Sequence, residues 1–203
     1  MSYDFFVFPA ERAEDLEEAV SVYESTPSTG TLTPGGPVAE ALAALASLGF
    51  PAHGTDAAAY VSTSWDDPMT NLRSVAGVAA KHGLSVLDVQ LGALYDTRGA
   101  VGAAIETQGG PRLPFVTRPV LRQVLSHIAE DRYHWVTLSR GADVFAQTYR
   151  DPDGSWALEH REGPAGHFAA RTADVALVED VLWSWARNDG RWPAMVAFSP
   201  IRL

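Results

Sequence analysis

Hydrophobic positions in the first half of the chain switch between strand-like runs and helix-like stripes. Residues 3–8 form a compact apolar run that Pro9 ends, which predicts a strand buried on both faces. A stripe at helical spacing follows and predicts an amphipathic helix, with members Ala13, Leu16, Val20 and Tyr23. After a turn-rich loop at 25–37, a second stripe predicts another helix, with members Val38, Leu42, Leu45 and Leu48.

The most distinct local pattern predicts a helix over residues 68–82. Pro68 occupies its first position after an aspartate cap, and Gly83 follows its last turn. Strand-like runs at 60–64 and 84–89 flank this helix. The pattern therefore predicts a strand-helix-strand unit whose two strands run parallel through a right-handed crossover.

Residues 93–114 are glycine-rich and lack periodicity, which indicates a linker or loop. We predict an α/β N-terminal unit over 1–92 and an α+β C-terminal unit over 115–203, with the alternative that both pack as one body. In the C-terminal unit the pattern predicts a helix, a four-stranded antiparallel meander, a second helix and a final strand near 194–199. The predicted fold class is α+β.

Composition limits the function classes. The 203 residues include 25 acidic and 15 basic ones, a formal net charge of -10, which argues against nucleic-acid and anionic-membrane binding and favours a basic protein partner. Cysteine is absent, so disulfides, thiolate metal sites and a cysteine nucleophile are excluded. No basic region precedes the first apolar run, and no apolar run approaches the roughly 20 residues of a membrane span, so we expect a cytoplasmic protein.

Candidate chemistry is sparse along the chain. Four histidines suggest a metal site, but they lack the close spacing of ligand pairs on one helix, so we expect no metal; they are His127, His134, His160 and His167. Asp66 and Asp67 could form a carboxylate pair for acid-base work, yet their place before Pro68 favours helix capping. No nucleophile elbow, Walker loop or dinucleotide fingerprint occurs, so we expect no cofactor and no catalytic residue.

The stretch ALEHREGPAGHFAAR, residues 157–171, concentrates charge around a glycine-proline turn. If that turn closes a two-stranded hairpin, four side chains come together on one or both faces and could bind an anion or a partner: Glu159, Arg161, His167 and Arg171. The alternative is a solvent-facing set of cross-strand charge pairs of little energetic value.

Two tryptophans on the predicted last helix point in different directions. Trp185 belongs to the apolar stripe and is expected in the core. Trp183 packs on the meander or contacts a partner, because aromatic residues are frequent in interface hot spots. We therefore include Trp183 among the candidate binding residues.

Two segments resemble known groups of proteins. The opening MSYDFFVF, with STSWDDP and VAGVAAKHGLSVLDVQ after it, resembles uncharacterised bacterial proteins that begin with M-S-Y-D and an apolar strand. The segments VFAQTYRD and WALEHREGPAGHFAARTADVALVEDVLWSWARNDGRW resemble immunity-type proteins of bacterial polymorphic toxin systems. The second resemblance implies binding of a toxin and no active site.

These observations lead to one functional hypothesis and two alternatives. The hypothesis is an acidic immunity protein that neutralises a cognate toxin by direct binding, through the hairpin or through the acid-rich first helix, residues 11–24. One alternative is a small enzyme with Glu159, Arg161 and His167 around a pocket. The other is a structural protein that self-associates through a sheet edge, and the sequence leaves the oligomeric state open.

Overall fold

The computed structural model describes residues 2–201 and confirms the predicted α+β class. The chain divides into two compact units, Met1–Ala100 (unit 1) and Val101–Leu203 (unit 2). This division falls inside the segment 93–114 that the sequence assigns to a linker. The segment carries three short strands, β5 (Ala93–Tyr95), β6 (Ala104–Thr107) and β7 (Arg112–Leu113).

Unit 1 combines a five-stranded sheet with three helices. Its remaining elements are β1 (Tyr3–Pro9), α1 (Leu16–Ser25), α2 (Pro37–Ser47), β2 (Ala52–Thr55), β3 (Ala58–Thr63), α3 (Pro68–Lys81) and β4 (Leu84–Asp88). The strand order is β2-β3-β1-β4-β5. The strand β1 is the middle strand of this order, and the burial of its apolar side chains on both faces shows that both faces of the sheet are covered at this strand.

The strand-helix-strand unit differs in one respect from its prediction. Both β3 and β4 pair antiparallel with β1, so they run in the same direction, as predicted. However, β1 lies between them, and every strand pair described in this sheet is therefore antiparallel. The sequence pattern could not place a strand from the start of the chain between two strands that follow much later.

Unit 2 contains a seven-stranded antiparallel sheet of order β12-β11-β10-β9-β8-β6-β7. Its other elements are α4 (Arg118–Ala129), β8 (Trp135–Gly141), β9 (Val144–Arg150), β10 (Trp156–Glu162), β11 (His167–Thr172), α5 (Val175–Arg187) and β12 (Ser199–Pro200). The predicted meander corresponds to β8 to β11. The predicted strand at 194–199 is wrong over most of its length, because a 3-10 turn at Trp192–Ala194 begins this segment and only Ser199 and Pro200 pair with β11.

Both helices of unit 2 pack on one face of the seven-stranded sheet. The buried positions of the strands alternate accordingly, and Val136, Leu138 and Leu158 are at most 1% exposed. We call this side the helix face and the other side the polar face. Because side chains alternate along a strand, every residue of the meander is assigned to one of these two faces.

A partly buried polar cluster attaches α5 to the strands. Trp185 is fully buried, as predicted, and its indole N–H donates to the Glu162 carboxylate over 2.7 Å. The Arg140 guanidinium donates to the same Glu162 oxygen over 2.7 Å and lies 4.2 Å from the centre of the Trp185 ring. The cluster therefore ties β8, β10 and α5 together through one carboxylate.

The structure decides which of two adjacent aspartates caps α3, and this yields a test. The Asp67 side chain accepts from the Thr70 backbone N–H over 3.1 Å, whereas Asp66 is exposed. We expect Asp67→Ala to lower the free energy of unfolding by about 1 kcal/mol, because it removes the cap. The matched change Asp66→Ala should stay within about 0.5 kcal/mol of the parent in urea denaturation. Equal effects of the two changes would contradict this assignment.

Candidate functional site

The hairpin of β10 and β11 places all four predicted charged residues on the polar face. Arg161 lies directly opposite His167, and Arg171 opposite Ala157. Glu159 and Arg161 are two residues apart on β10, so they share that face. The turn between the strands requires glycine at both ends, since Gly163 and Gly166 have φ values of 64° and 113°.

Glu159 is the centre of the contacts on the polar face. Its side chain is only 15% exposed and accepts from the Gln147 side-chain amide over 2.8 Å and from the Tyr149 hydroxyl over 3.4 Å. His167 Nε2 lies 3.0 Å from a Glu159 oxygen, but the ring N–H is not aligned for a hydrogen bond, so this contact is electrostatic. Glu159 therefore links β9, β10 and β11.

The tyrosine beside Glu159 stays a neutral donor. Burial raises the pKa of the Tyr149 hydroxyl, and the negative charges of Glu159 and Asp151 raise it further. The phenol therefore keeps its proton in neutral solution and can donate it to the Glu159 carboxylate. This arrangement stabilises the sheet and gives Tyr149 no property of a nucleophile or base.

The two arginines of the hairpin are already paired. Arg161 Nη1 lies 3.3 Å from Asp143, and its Nε donates to the Gly163 carbonyl over 3.2 Å. Arg171 Nη1 lies 2.7 Å from Asp151. The partners Asp143 and Asp151 lie directly before and after β9, outside the β10–β11 hairpin. The Arg161–Asp143 pair is exposed at both side chains and contributes little to stability, whereas Asp151 is only 17% exposed.

Trp183 lies apart from these four residues. It is half-buried on α5, which packs on the helix face, and the Arg187 guanidinium lies 6.0 Å from the centre of its ring. That distance is at the limit of a cation–π contact. The structure therefore brings together Glu159, Arg161, His167 and Arg171 but not Trp183.

The sequence reasoning treated His160 only as a metal candidate, although the structure places it in an aromatic cluster on the helix face. Its ring stacks on Phe168 with centres 5.1 Å apart and meets Trp192 and Phe198 edge-on at 4.5 and 4.6 Å. These four residues line a cavity of about 400 Å³ that opens at the end of the helix face. The alternation of Trp156 and Leu158 could have placed His160 on this apolar side.

Burial changes the chemistry of His160. Its ring is 92% removed from solvent, and its Nδ1 has no hydrogen-bond partner in the described part of the chain. Desolvation lowers the pKa of His160, and nearby His167 lowers it further, while the Glu162 carboxylate opposes the shift. The imidazole is therefore neutral near pH 7.

A buried acid in unit 1 also escaped the sequence reasoning. Asp88 at the end of β4 is fully buried, and its carboxylate accepts from the Tyr3 hydroxyl over 2.6 Å. It also accepts from the backbone N–H groups of Gln90 and Leu91 over 3.1 and 2.9 Å. Burial raises the pKa of Asp88, and these hydrogen bonds partly offset the shift. The contacts identify a residue that holds a turn in place.

The acid-rich segment around α1 has the opposite character to the hairpin. Six carboxylate side chains are exposed within 14 residues, and no ion pair to any of them occurs in residues 2–201; they are Glu11, Glu14, Asp15, Glu17, Glu18 and Glu24. We call this region the acidic helix surface. Asp15 and Glu18 also accept backbone N–H groups at the start of α1, which fixes their position.

Charge is divided unequally between the two units. Residues 1–100 contain 13 acidic and four basic residues, a net charge of -9, whereas residues 101–203 contain 12 acidic and 11 basic ones, a net charge of -1. The acidity of the chain is therefore a property of unit 1. The hairpin, in unit 2, lies in a nearly neutral domain.

Residues 2–201 contain neither a group of metal ligands nor a helix that could span a membrane. No group of three or more histidine, aspartate or glutamate side chains there is arranged to hold a metal ion. Within the same residues, no helix combines the length and the apolar composition needed to cross a bilayer.

Comparisons with known proteins identify no relative. A scan against protein-family models finds no match, and searches of curated proteins and of solved structures find no significant match either. The resemblances to M-S-Y-D proteins and to immunity-type proteins therefore stay hypotheses that depend on the residues quoted for them. Support for a function therefore comes from the geometry of the sites.

The role of Glu159 can be tested against an exposed pair on the same hairpin. Glu159→Ala should lower the free energy of unfolding by about 1 to 3 kcal/mol, because Gln147, Tyr149 and His167 lose a half-buried partner. Arg161→Ala should cost at most about 1 kcal/mol, because both side chains of its pair with Asp143 are exposed. Urea denaturation of both variants checks this, and a larger loss for Arg161→Ala than for Glu159→Ala would contradict it.

The burial of His160 predicts a pH dependence of stability. The pKa of His160 is lower in the folded than in the unfolded chain, whose ordinary value is 6.5, so the unfolded state takes up the proton first. The free energy of unfolding should therefore fall as the pH drops below about 6.5. His160→Phe should lose less stability than the parent between about pH 7.5 and pH 5.

Thermal unfolding over this pH range measures the difference. Burial also lowers the pKa of His127, so part of the pH dependence should persist in the variant. Identical slopes for the parent and for His160→Phe would show that His160 does not titrate in the predicted direction.

Proposed function

We propose that this chain is a cytoplasmic binding protein for a basic protein partner and acts as an immunity protein that neutralises a bacterial toxin. The acidic helix surface carries the proposal, because its six exposed carboxylates are not neutralised by ion pairs within residues 2–201. The step from basic partner to toxin depends on the resemblance of the C-terminal segment to immunity-type proteins.

Electrostatics favour the acidic helix surface over the hairpin as the first contact. Unpaired charges of one sign steer an oppositely charged partner and accelerate association, whereas paired charges cancel at a distance. Arg161 and Arg171 are paired with Asp143 and Asp151, so the hairpin offers little net field. The acidic helix surface is therefore the first of the two surfaces to test.

A toxin that acts on nucleic acid would fit this surface. Such an enzyme needs a basic face for the phosphate backbone, and an acidic inhibitor can cover that face with its own carboxylates. Glu17 and Glu18 lie in the first turn of α1, and Glu14 directly precedes its N-cap residue Asp15. Deaminases, nucleases and other effectors with basic faces are all compatible with this argument.

The alternatives find less support in the geometry. Arg161 and His167 already have acidic partners, so an enzyme built on Glu159, Arg161 and His167 would first have to break these pairs. Self-association through a sheet edge needs a long accessible strand. The edge strands β12 and β7 of unit 2 have only two residues each, and the edge strands β2 and β5 of unit 1 have four and three.

Charge neutralisation on the acidic helix surface tests the binding proposal. The variant Glu11→Gln, Glu17→Gln, Glu24→Gln removes three negative charges without touching the two capping carboxylates. We expect its association rate constant with the partner toxin domain to fall by about tenfold at low salt. Stopped-flow association over a range of ionic strengths measures this effect.

A second triple variant provides the matched control. Glu106→Gln, Glu130→Gln, Asp180→Asn removes the same total charge from acids that are paired with Arg112, Arg132 and Arg118. At the same low salt, this control should change the rate by less than about threefold, because it leaves all six carboxylates of the acidic helix surface in place. Equal effects of the two triple variants would remove the acidic helix surface as the docking site.

The partner itself can be sought in the genome. A neighbouring gene for a large secreted protein with a C-terminal toxin domain would supply the candidate, and co-expression should restore growth and yield a complex. If co-expression does not restore growth and no complex forms even at low salt, where electrostatic steering is strongest, the proposed function is overturned.

A further inference from the structure

A pocket in unit 1 lies where strands β1, β2 and β3 meet the last turn of α1. Its lining includes one carboxylate and three partly exposed aromatic rings: Asp4, Tyr23, His53 and Tyr60. We call it the Asp4 pocket and propose that it binds the guanidinium group of an arginine side chain on the basic partner, an inference that rests on the proposed function. Its volume of about 260 Å³ suits one side chain better than a whole small molecule, whose pockets usually exceed about 300 Å³.

The Asp4 carboxylate is partly exposed and forms no ion pair within residues 2–201. Its Oδ2 accepts from the Ser2 hydroxyl over 3.1 Å and from the Gln90 side-chain amide over 3.4 Å. Its Oδ1 accepts no hydrogen bond from a residue in the same range. Neutral donors therefore hold the carboxylate in place and leave its negative charge available to a ligand.

The strand register places Asp4 on the same side of the sheet as the aromatic rings. Asp4 and Phe6 are two residues apart on β1, so their side chains point to one face. The Phe6 ring contacts the rings of Tyr23 and Tyr60, with centres 5.3 and 5.1 Å apart. His53 lies opposite Tyr60 on β2 and stacks on its ring at 5.6 Å. Carboxylate and aromatic side chains thus border the pocket from one face of the sheet.

This combination favours a planar cation. The described lining contains no arginine or lysine, so a ligand of opposite charge has no competitor there. A guanidinium can donate two parallel hydrogen bonds to a carboxylate and pack against aromatic rings, whereas a lysine ammonium is a compact, strongly hydrated charge. The last turn of α1 adds the negative end of the helix dipole, and no basic residue of that turn offsets it.

The Asp4 pocket adjoins the acidic helix surface. Tyr23, which lines the pocket, directly precedes Glu24 in the last turn of α1. A basic partner that is steered to the exposed carboxylates would therefore bring its arginine side chains close to the pocket. Long-range charge acts mainly on the association rate, whereas a short-range pair in a pocket acts mainly on the dissociation rate. The two features can thus be measured separately.

Three probes of similar size test the pocket on the unmodified protein by NMR chemical-shift titration. They are the Nα-acetyl amides of arginine, of lysine and of citrulline, the neutral isostere of arginine. We expect the arginine probe to bind with a Kd of at most about 10 mM, the lysine probe about threefold more weakly and the citrulline probe about tenfold more weakly. Equal affinity of the arginine probe and either other probe, or no saturation by the arginine probe up to about 50 mM, would overturn the proposal.

Two variants locate the binding to the pocket. Asp4→Asn keeps the shape of the side chain and should weaken binding of the arginine probe by about tenfold. Tyr23→Leu should weaken it by about threefold, because the pocket loses an aromatic ring. The matched control is Asp66→Asn, which removes one charge from an exposed acid of unit 1 outside the lining and should change the affinity by less than about twofold. Equal effects of Asp4→Asn and Asp66→Asn would place the probe elsewhere. If Tyr23→Leu does not fold, Asp4→Asn and the three probes decide the question.

Kinetics with the partner toxin domain test the occupant. Asp4→Asn should raise the dissociation rate constant of the complex by about tenfold and change the association rate constant by less than about threefold. An unchanged dissociation rate would overturn the assignment of the pocket to a partner arginine and leave the proposed function intact. If no complex forms, the proposed function fails, while the probe titration still decides whether the pocket binds a guanidinium group.

Discussion

Strict alternation of side chains along the seven-stranded sheet is the constraint on which unit 2 depends. The two helices cover only one face, so every second residue of the meander must be apolar or form part of a satisfied cluster. Residues with adjacent numbers therefore acquire different roles. Glu159 and Arg161 join the charge pairs of the polar face, while His160 between them enters an aromatic cluster. A slip of β10 by one residue would exchange these roles and turn the charges of Glu159 and Arg161 toward the helix face.

This constraint also explains why the charged stretch resembles a catalytic site in the sequence. In the linear sequence, glutamate, arginine and histidine within a few residues of one another suggest acid-base chemistry. On the sheet they form cross-strand pairs, and Glu159 links β9, β10 and β11 through Gln147 and His167. Histidine, arginine and carboxylate residues are then the side chains expected on a half-exposed polar face, where they bond to one another and to water.

The sequence predicted elements with clear local signals and failed where the answer depended on distant contacts. The helix α3 has a cap, a first-turn proline and a terminal glycine, and its predicted and observed bounds differ by one residue. By contrast, the insertion of β1 between β3 and β4 involves strands more than 50 residues apart, which periodicity cannot detect. In α2 the buried stripe is Val38, Ala41 and Leu45, so the small Ala41 lies inward where Leu42 was expected.

The candidate sites show the same limit. Sequence reasoning identified the charged residues of the hairpin, but a list of charges does not show which of them are already paired, and pairing decides whether a surface attracts a partner at a distance. The structure shows that the hairpin arginines form ion pairs and that, within residues 2–201, the six carboxylates between Glu11 and Glu24 form none. Likewise, the aromatic cluster around His160 is formed by Phe168, Trp192 and Phe198, of which two lie more than 30 residues away. Alternation along β10 places His160 on the helix face, but it does not show which distant side chains His160 contacts there.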